Sequence, residues 1–183
     1  MGGESAMSVK AGRVFLIPVC VVVLAAGVAL YGQQPAGGRF VDGGRFVRDT
    51  QNNLMWEKKD TAGGLHDVNK TVTWCEATGN TEGLCVGASS WIAQVNAEKF
   101  AGFTDWRVPT VKELLTLVDK TAAKCGTGSP CISPIFGPTK AFRYWASDDP
   151  RRTSRGTVDF YLGDAQNDFQ RNQFQVRAVR TAP

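Results

Sequence analysis

The sequence predicts an α+β domain in which two helices pack on a mainly antiparallel sheet. Three observations predict it. Short segments that alternate apolar and polar residues stand at both ends of residues 39–183. Between them lie two stretches with helix caps and helical apolar spacing. Gly, Asn and Asp punctuate the junctions. The chain has 183 residues, one domain's worth, and its five Trp and ten Phe can fill a core. A formal charge of +4 permits contact with an anionic surface, but no basic stripe or motif points to nucleic acid.

Lys10 and Arg13 precede an uncharged apolar run over residues 14–30, VFLIPVCVVVLAAGVAL, and small residues follow. That is the order of a secretory signal, although the run also reaches the short edge of a membrane span, roughly 17–25 residues. Residues 1–32 are therefore expected to be a signal peptide or, uncleaved, an N-terminal anchor that would be the one membrane contact. Residues 33–38 form a linker. The remainder is expected to be periplasmic, at the cell surface or secreted. Cys20 lacks the small preceding residue of a lipobox. The other cysteines are Cys75, Cys85, Cys125 and Cys131, an even number in an oxidising compartment. Three connectivities exist. Local pairing, Cys75 with Cys85 and Cys125 with Cys131, is the simplest, and the spacings do not suit a zinc site.

GGRFV occurs at residues 37–41 and again at 43–47, with Asp42-Gly43 as the turn of a hairpin. TQNN (50–53) is the next turn, and LMWEK (54–58) a third strand with Leu54 and Trp56 on one face. Residues 59–88 are polar and Gly-rich; Thr71–Trp74 is apolar enough to touch the core, and the rest reads as loop. SSWIAQVNAEKF (89–100) is a helix capped by Ser89 or Ser90, with Trp91, Ile92 and Val95 inward, Gln94, Asn96, Glu98 and Lys99 solvated, and Gly102 as its stop. In DWRVPTVKELL, Pro109 holds Val108 extended, and Thr110 and Glu113 have the spacing of a capping box. Leu114, Leu115, Leu117 and Val118 then bury one side. Trp106, Pro109 and Thr110 each have a packing or capping role, so this corner is read as scaffold. FRYWAS (142–147), TVDFYLG (157–163) and FQVRAVR (174–180) are strands, joined by the polar loops DDPRRTSRG and DAQNDFQRNQ.

Loops on a rigid sheet are the usual place for binding residues. Arg143, Arg151, Arg152, Arg155 and Arg171 offer guanidinium forks for sulfate or carboxylate groups. Asp164, Asn167 and Asp168 offer ligand-binding oxygens. With Asp148 and Asp149 they are the densest supply of oxygens for a calcium ion, though in no known calcium-loop spacing, and no other cofactor is expected. The plain alternative is solvated loops. His66 is the chain's one histidine, with no catalytic motif around it. The five tryptophans are read as core rather than as a sugar platform.

The order of RFVD, RFVRDTQNNLMWEK, a helix, GFTDWRVPTVKELLTLVD, YWAS, VDFYLG and VRAVR resembles a domain-of-unknown-function family, the Legionella collagen-like protein C-terminal (Lcl C-terminal) domain family. The resemblance runs from about Arg39 to Arg180. It implies a C-type-lectin-like fold with a twisted sheet. It also implies a non-enzymatic binding domain outside the cytoplasm for an extracellular polysaccharide, sulfated ones included, or a surface protein. A structural envelope role is the alternative. Family members often carry Cys where this chain has Ala178, so a disulfide through that position cannot form here. Arg107-x-Pro109-Thr110-x-x-Glu113 also resembles the formylglycine-generating enzymes, but those need an active cysteine pair late in the domain, and no cysteine follows Cys131.

Overall fold

The computed structural model describes residues 1–2, 38–148 and 154–183. The expected leader and linker, from residue 3 to residue 37, and the expected site residues Asp149, Arg151 and Arg152 lie outside them. The chain divides into two compact units, Met1–Gln33 and Gln34–Pro183, and every element below belongs to the second. Among the described residues no helix is long and apolar enough to cross a membrane.

Chain order is β1 (Phe40–Asp42), β2 (Phe46–Asp49), β3 (Leu54–Glu57), β4 (Thr71–Val72), α1 (Trp74–Thr78), α2 (Trp91–Ala97), α3 (Val111–Leu115), β5 (Arg143–Trp145), β6 (Ser154–Asp159), β7 (Asp164–Phe169), β8 (Phe174–Gln175) and β9 (Val179–Thr181). The α+β class holds, but the strands form two sheets rather than one. The first runs β1-β2-β3-β9 and is antiparallel; the second runs β4-β8-β5-β6-β7, with a parallel step between β5 and β8. Residues 174–180, expected as one strand, leave the second sheet after Gln175 and join the first at Val179.

The hairpin forms as expected, but its turn lies at Gly44-Arg45 rather than Asp42-Gly43: Asp42 pairs with Val47, Gly43 donates to the Phe46 carbonyl at 2.8 Å, and Gly44, at φ 83°, makes the bend that its lack of a Cβ permits. The alternation in β3 also holds. Leu54 and Trp56 face one core cluster and Met55 the other, so both faces of this strand are covered. All five tryptophans are buried. Four indoles donate to backbone carbonyls: Trp74 to Ala146, Trp91 to Leu65, Trp106 to Phe100 and Trp145 to Val72. The two disulfides are Cys75–Cys85 and Cys125–Cys131, the local pairing.

Several elements differ from expectation. Residues 59–88 are not all loop: Thr73 and Glu76 form a second capping box that starts α1. The helix around Trp91 is shorter than residues 89–100, because Lys99 turns left-handed at φ 53° before Gly102 is reached. Asn96 is not solvated. Its side-chain amide donates to the Trp106 carbonyl and its carbonyl oxygen accepts from the Trp106 amide, both at 2.8 Å. Leu115 is exposed, since α3 ends there and the chain turns before Leu117 re-enters the core. DAQNDF is strand β7, not loop: its polar residues pair with β6 along their whole length.

The corner at residues 105–110 is scaffold. Trp106 is 2% exposed. Arg107 exchanges backbone hydrogen bonds with Val179 in both directions at 2.9 Å, and the Pro109 carbonyl accepts from Ser147 at 2.8 Å. One sheet is thereby pinned through β9 and the other through the end of β5. The capping box is formed as expected, with Thr110 Oγ1 accepting from the Glu113 amide and Glu113 accepting from the Thr110 amide. The Glu113 carboxylate also takes both Arg107 Nη groups, at 2.8 and 2.5 Å.

Burial alone would raise the Glu113 carboxyl, but Arg107 and the Thr110 donors hold it below its ordinary 4.5. Its contribution to stability is thus present above that ordinary value and is lost as pH falls through the lowered one. Chemical unfolding across the acid range is expected to show a shallower loss for Glu113→Gln than for the native chain. Thr110→Ala, which removes the cap and the hydroxyl donor to Glu113, is expected to cost about 1 kcal/mol at neutral pH.

Candidate functional site

Strands β5, β6 and β7 lie side by side, and their register sets a polar face. Arg143 stands opposite Asp159, and Asp159 opposite Asp164. In the next row Trp145 faces Thr157, and Thr157 faces Gln166. Then comes Arg155 opposite Asp168. Side chains two apart along a strand share a face, so all of these project to one side. Tyr144 and Val158 project to the other, into the core under α3.

Hydrogen bonds lock this face. Arg143 Nη1 donates to Asp168 Oδ1 at 2.5 Å, and its Nε lies 3.6 Å from Asp159 Oδ2. Thr157 Oγ1 donates to Asp168 Oδ2 at 2.7 Å. Asp159 Oδ1 accepts the Tyr161 amide at 2.7 Å, which fixes the turn into β7. Gln166 Nε2 donates to Asp164 Oδ1 at 3.1 Å. The Arg143 side chain remains 35% exposed. Next to it Phe142 is about half exposed and meets Phe174 edge-on, with ring centroids 5.7 Å apart. Trp145, Arg155, Thr157, Asp159 and Asp168 of this row are buried. Arg143, Asp164 and Gln166 are its partly open members, and they lie beside the exposed Phe142 ring. A guanidinium, a carboxylate and an amide so placed suit hydroxyl-rich or mixed polar ligands. Neither His66 nor any cysteine lies among the residues that form it.

The expected site residues are only partly brought together. Arg143, Asp164 and Asp168 share this face. Arg155 shares it too but sits at the inner end, 7% exposed, with its guanidinium 4.2 Å from the Trp74 ring centroid. Asn167 projects from the opposite face of β7 and is exposed. Arg171 is exposed beyond β7, on the rim of a depression of about 280 Å³ shared with Glu76, Leu84 and Val86. Asp148 Oδ2 accepts the Val111 amide at 2.5 Å and so holds the start of α3. Among the described residues no three His, Cys, Asp or Glu side chains converge in a manner that could hold a metal ion. Thr157, Asp159 and Gln166 were missed as site residues. Their alternation with Val158 and Ala165 was the available signal, hidden by reading residues 164–173 as a loop.

Asp168 is buried and holds two donors, so Asp168→Asn is expected to destabilise the domain by about 1.5–3 kcal/mol in urea unfolding. Asn167→Ala, one residue away and solvent-facing, should stay within about 0.5 kcal/mol of the native chain.

Residues 45–180, which include the whole of this face, match the family model described as the Lcl C-terminal domain. No curated protein matches the chain.

Proposed function

Because the chain belongs to the Lcl C-terminal domain family, we propose that it is a non-enzymatic binding module working outside the cytoplasm, and that its ligand is a carbohydrate chain held on the β5–β7 face. The observation that carries this reading is the locked Arg143–Asp168–Thr157 set beside Gln166, Asp164 and the open Phe142 ring. Side chains held by such hydrogen bonds need little ordering on binding. Buried Asp168 and Thr157 would hold Arg143 in place, and Arg143, Gln166 and Asp164 can meet sugar hydroxyls while the ring covers the apolar face of a sugar. Arg151 and Arg152 belong by sequence to the connection from β5 to β6, and guanidinium groups are chemically suited to sulfate. The two disulfides suit an oxidising compartment, which supports a periplasmic, surface or secreted location.

The cysteine chemistry supports a non-enzymatic reading over the formylglycine-generating one. All four domain cysteines are tied in local pairs, and none follows Cys131. No cofactor is required by the proposal.

On an array of sulfated and unsulfated glycans the domain is expected to bind, and a chelator should leave the signal unchanged. Arg143→Ala combined with Gln166→Ala should weaken binding about tenfold or more, the loss of two hydrogen bonds. Undiminished binding by that variant would move the site elsewhere. Silence on the array together with retention of an envelope protein in a pull-down would replace the proposal with the structural envelope role.

A further inference from the structure

The polar chemistry of this domain extends to a buried set that the carbohydrate face does not use. Glu57, at the end of β3, is fully buried. Its Oε1 takes Lys59 Nζ at 2.8 Å and meets His66 Nδ1 at 2.6 Å. Its Oε2 accepts the Ala178 amide at 2.7 Å. The other ring nitrogen of His66, Nε2, is hydrogen-bonded to Glu98 Oε1, just past α2. The imidazole stacks on Phe100 at 3.9 Å between centroids. His66 therefore stands between two carboxylates, one on each nitrogen. Glu57 is inaccessible, whereas the Glu98 side chain is 40% exposed.

A neutral imidazole has one N–H and one lone pair. Facing two carboxylates, the neutral ring would set its lone pair against the oxygens of one of them. Only the doubly protonated ring donates to both. We propose that His66 is a pH-sensitive latch, closed as the imidazolium between Glu57 and Glu98 and opened by loss of its Nε2 proton, which releases Glu98 and loosens the loop of residues 60–69 from α2.

The groups around the latch favour this direction. From β3 and the three residues after it come Glu57, Lys59 and Asp60. Lys59 and the imidazolium together balance Glu57 and Glu98. From the loop itself comes Asp67, whose carboxylate is engaged by the amides of Gly63 and Asn69. Arg45, in the β1–β2 turn, lies 4.4 Å from the Phe100 ring centroid. Arg177, between β8 and β9, donates to the Glu57 carbonyl at 2.6 Å rather than to its carboxylate. Desolvation alone would lower the His66 value, but hydrogen bonds and charge from Glu57 and Glu98 raise it above 6.5. A raised value means the closed latch stabilises fully below 6.5 and is lost as pH rises through the folded value. Glu98 is the partner let go, because water can solvate its carboxylate while Glu57 has no access to water. The loop has a second tie to α2, the Trp91 indole bonded to the Leu65 carbonyl at 3.0 Å, and that bond reports on its position.

The chain has one histidine, so nitrogen-15 NMR of the ring is free of overlap. Titrated in the full domain, the ring should carry both protons at and somewhat above pH 6.5, with a midpoint above that value. Glu98→Gln, at a partly exposed position, should move the midpoint down. The Trp91 indole resonance, assigned with Trp91→Phe, should shift with the same midpoint as the ring. A midpoint at or below 6.5, a midpoint unmoved by Glu98→Gln, or a Trp91 resonance flat through the titration would each overturn the latch.

Discussion

The two sheets keep their relation because the extended stretch at residues 105–110 is bonded to both. Arg107 is paired in both directions with Val179 of β9, and Pro109 accepts from Ser147 at the end of β5. Arg180, the neighbour of Val179, adds a two-point pair to Asp105 at 2.7 and 3.0 Å. Asn96 clasps the backbone of Trp106 from the α2 side. Proline is compatible here because the stretch lies outside both sheets and needs no amide at that position. Trp106 lies beneath it and the capping box of α3 follows, and a depression of about 400 Å³ opens beside it between Ile92, Trp106, Arg107, Thr110 and Ser147. Its exposed guanidinium, Arg107, is already held on two sides by Glu113.

A second constraint follows from the crossing of residues 176–178 between the sheets. A chain that leaves one ladder for another takes its amides and carbonyls through the core, where each must find a partner. The Glu57 carboxylate accepts the Ala178 amide, and the Ala178 carbonyl accepts the Glu57 amide at 2.9 Å. Arg177 closes the same region by donating to the carbonyls of Glu57 and Phe136 and to Thr139. The buried charges are thus hydrogen-bonding partners for a backbone that no strand completes. Lys59 accompanies Glu57 because a carboxylate in that position without a cation would be far more costly.

Much of this was legible in the residues. The RFV repeat, the period-two faces of LMWE and FRYWAS, and Thr110-x-x-Glu113 all state their local structure, because turns, strands and caps are decided within a few residues. The same Thr-x-x-Glu spacing at Thr73 and Glu76 was equally readable, but the glycines and cysteines around it disguised a five-residue helix. β7 was illegible for a different reason. Strand composition reflects burial, and Asp164 to Phe169 lies at the edge of its sheet with one face in solvent. The site suffered in the same way: residues on one row of a sheet come from three separate segments, and only the register brings Arg143, Asp159 and Asp164 into line. The split of residues 174–181 between two sheets has no local signal at all, since Phe174, Val176 and Ala178 keep one face throughout.

The cross-links divide the labour with these hydrogen bonds. Cys75–Cys85 and Cys125–Cys131 span sequence separations of 10 and 6, and each closes a loop on itself. Neither sews one sheet to the other. Sulfur pairing therefore carries no information about how the sheets are assembled, and near neighbours find each other before distant rivals can compete. The sheets can dock first and the cysteines be oxidised afterwards, with few wrong partners to undo.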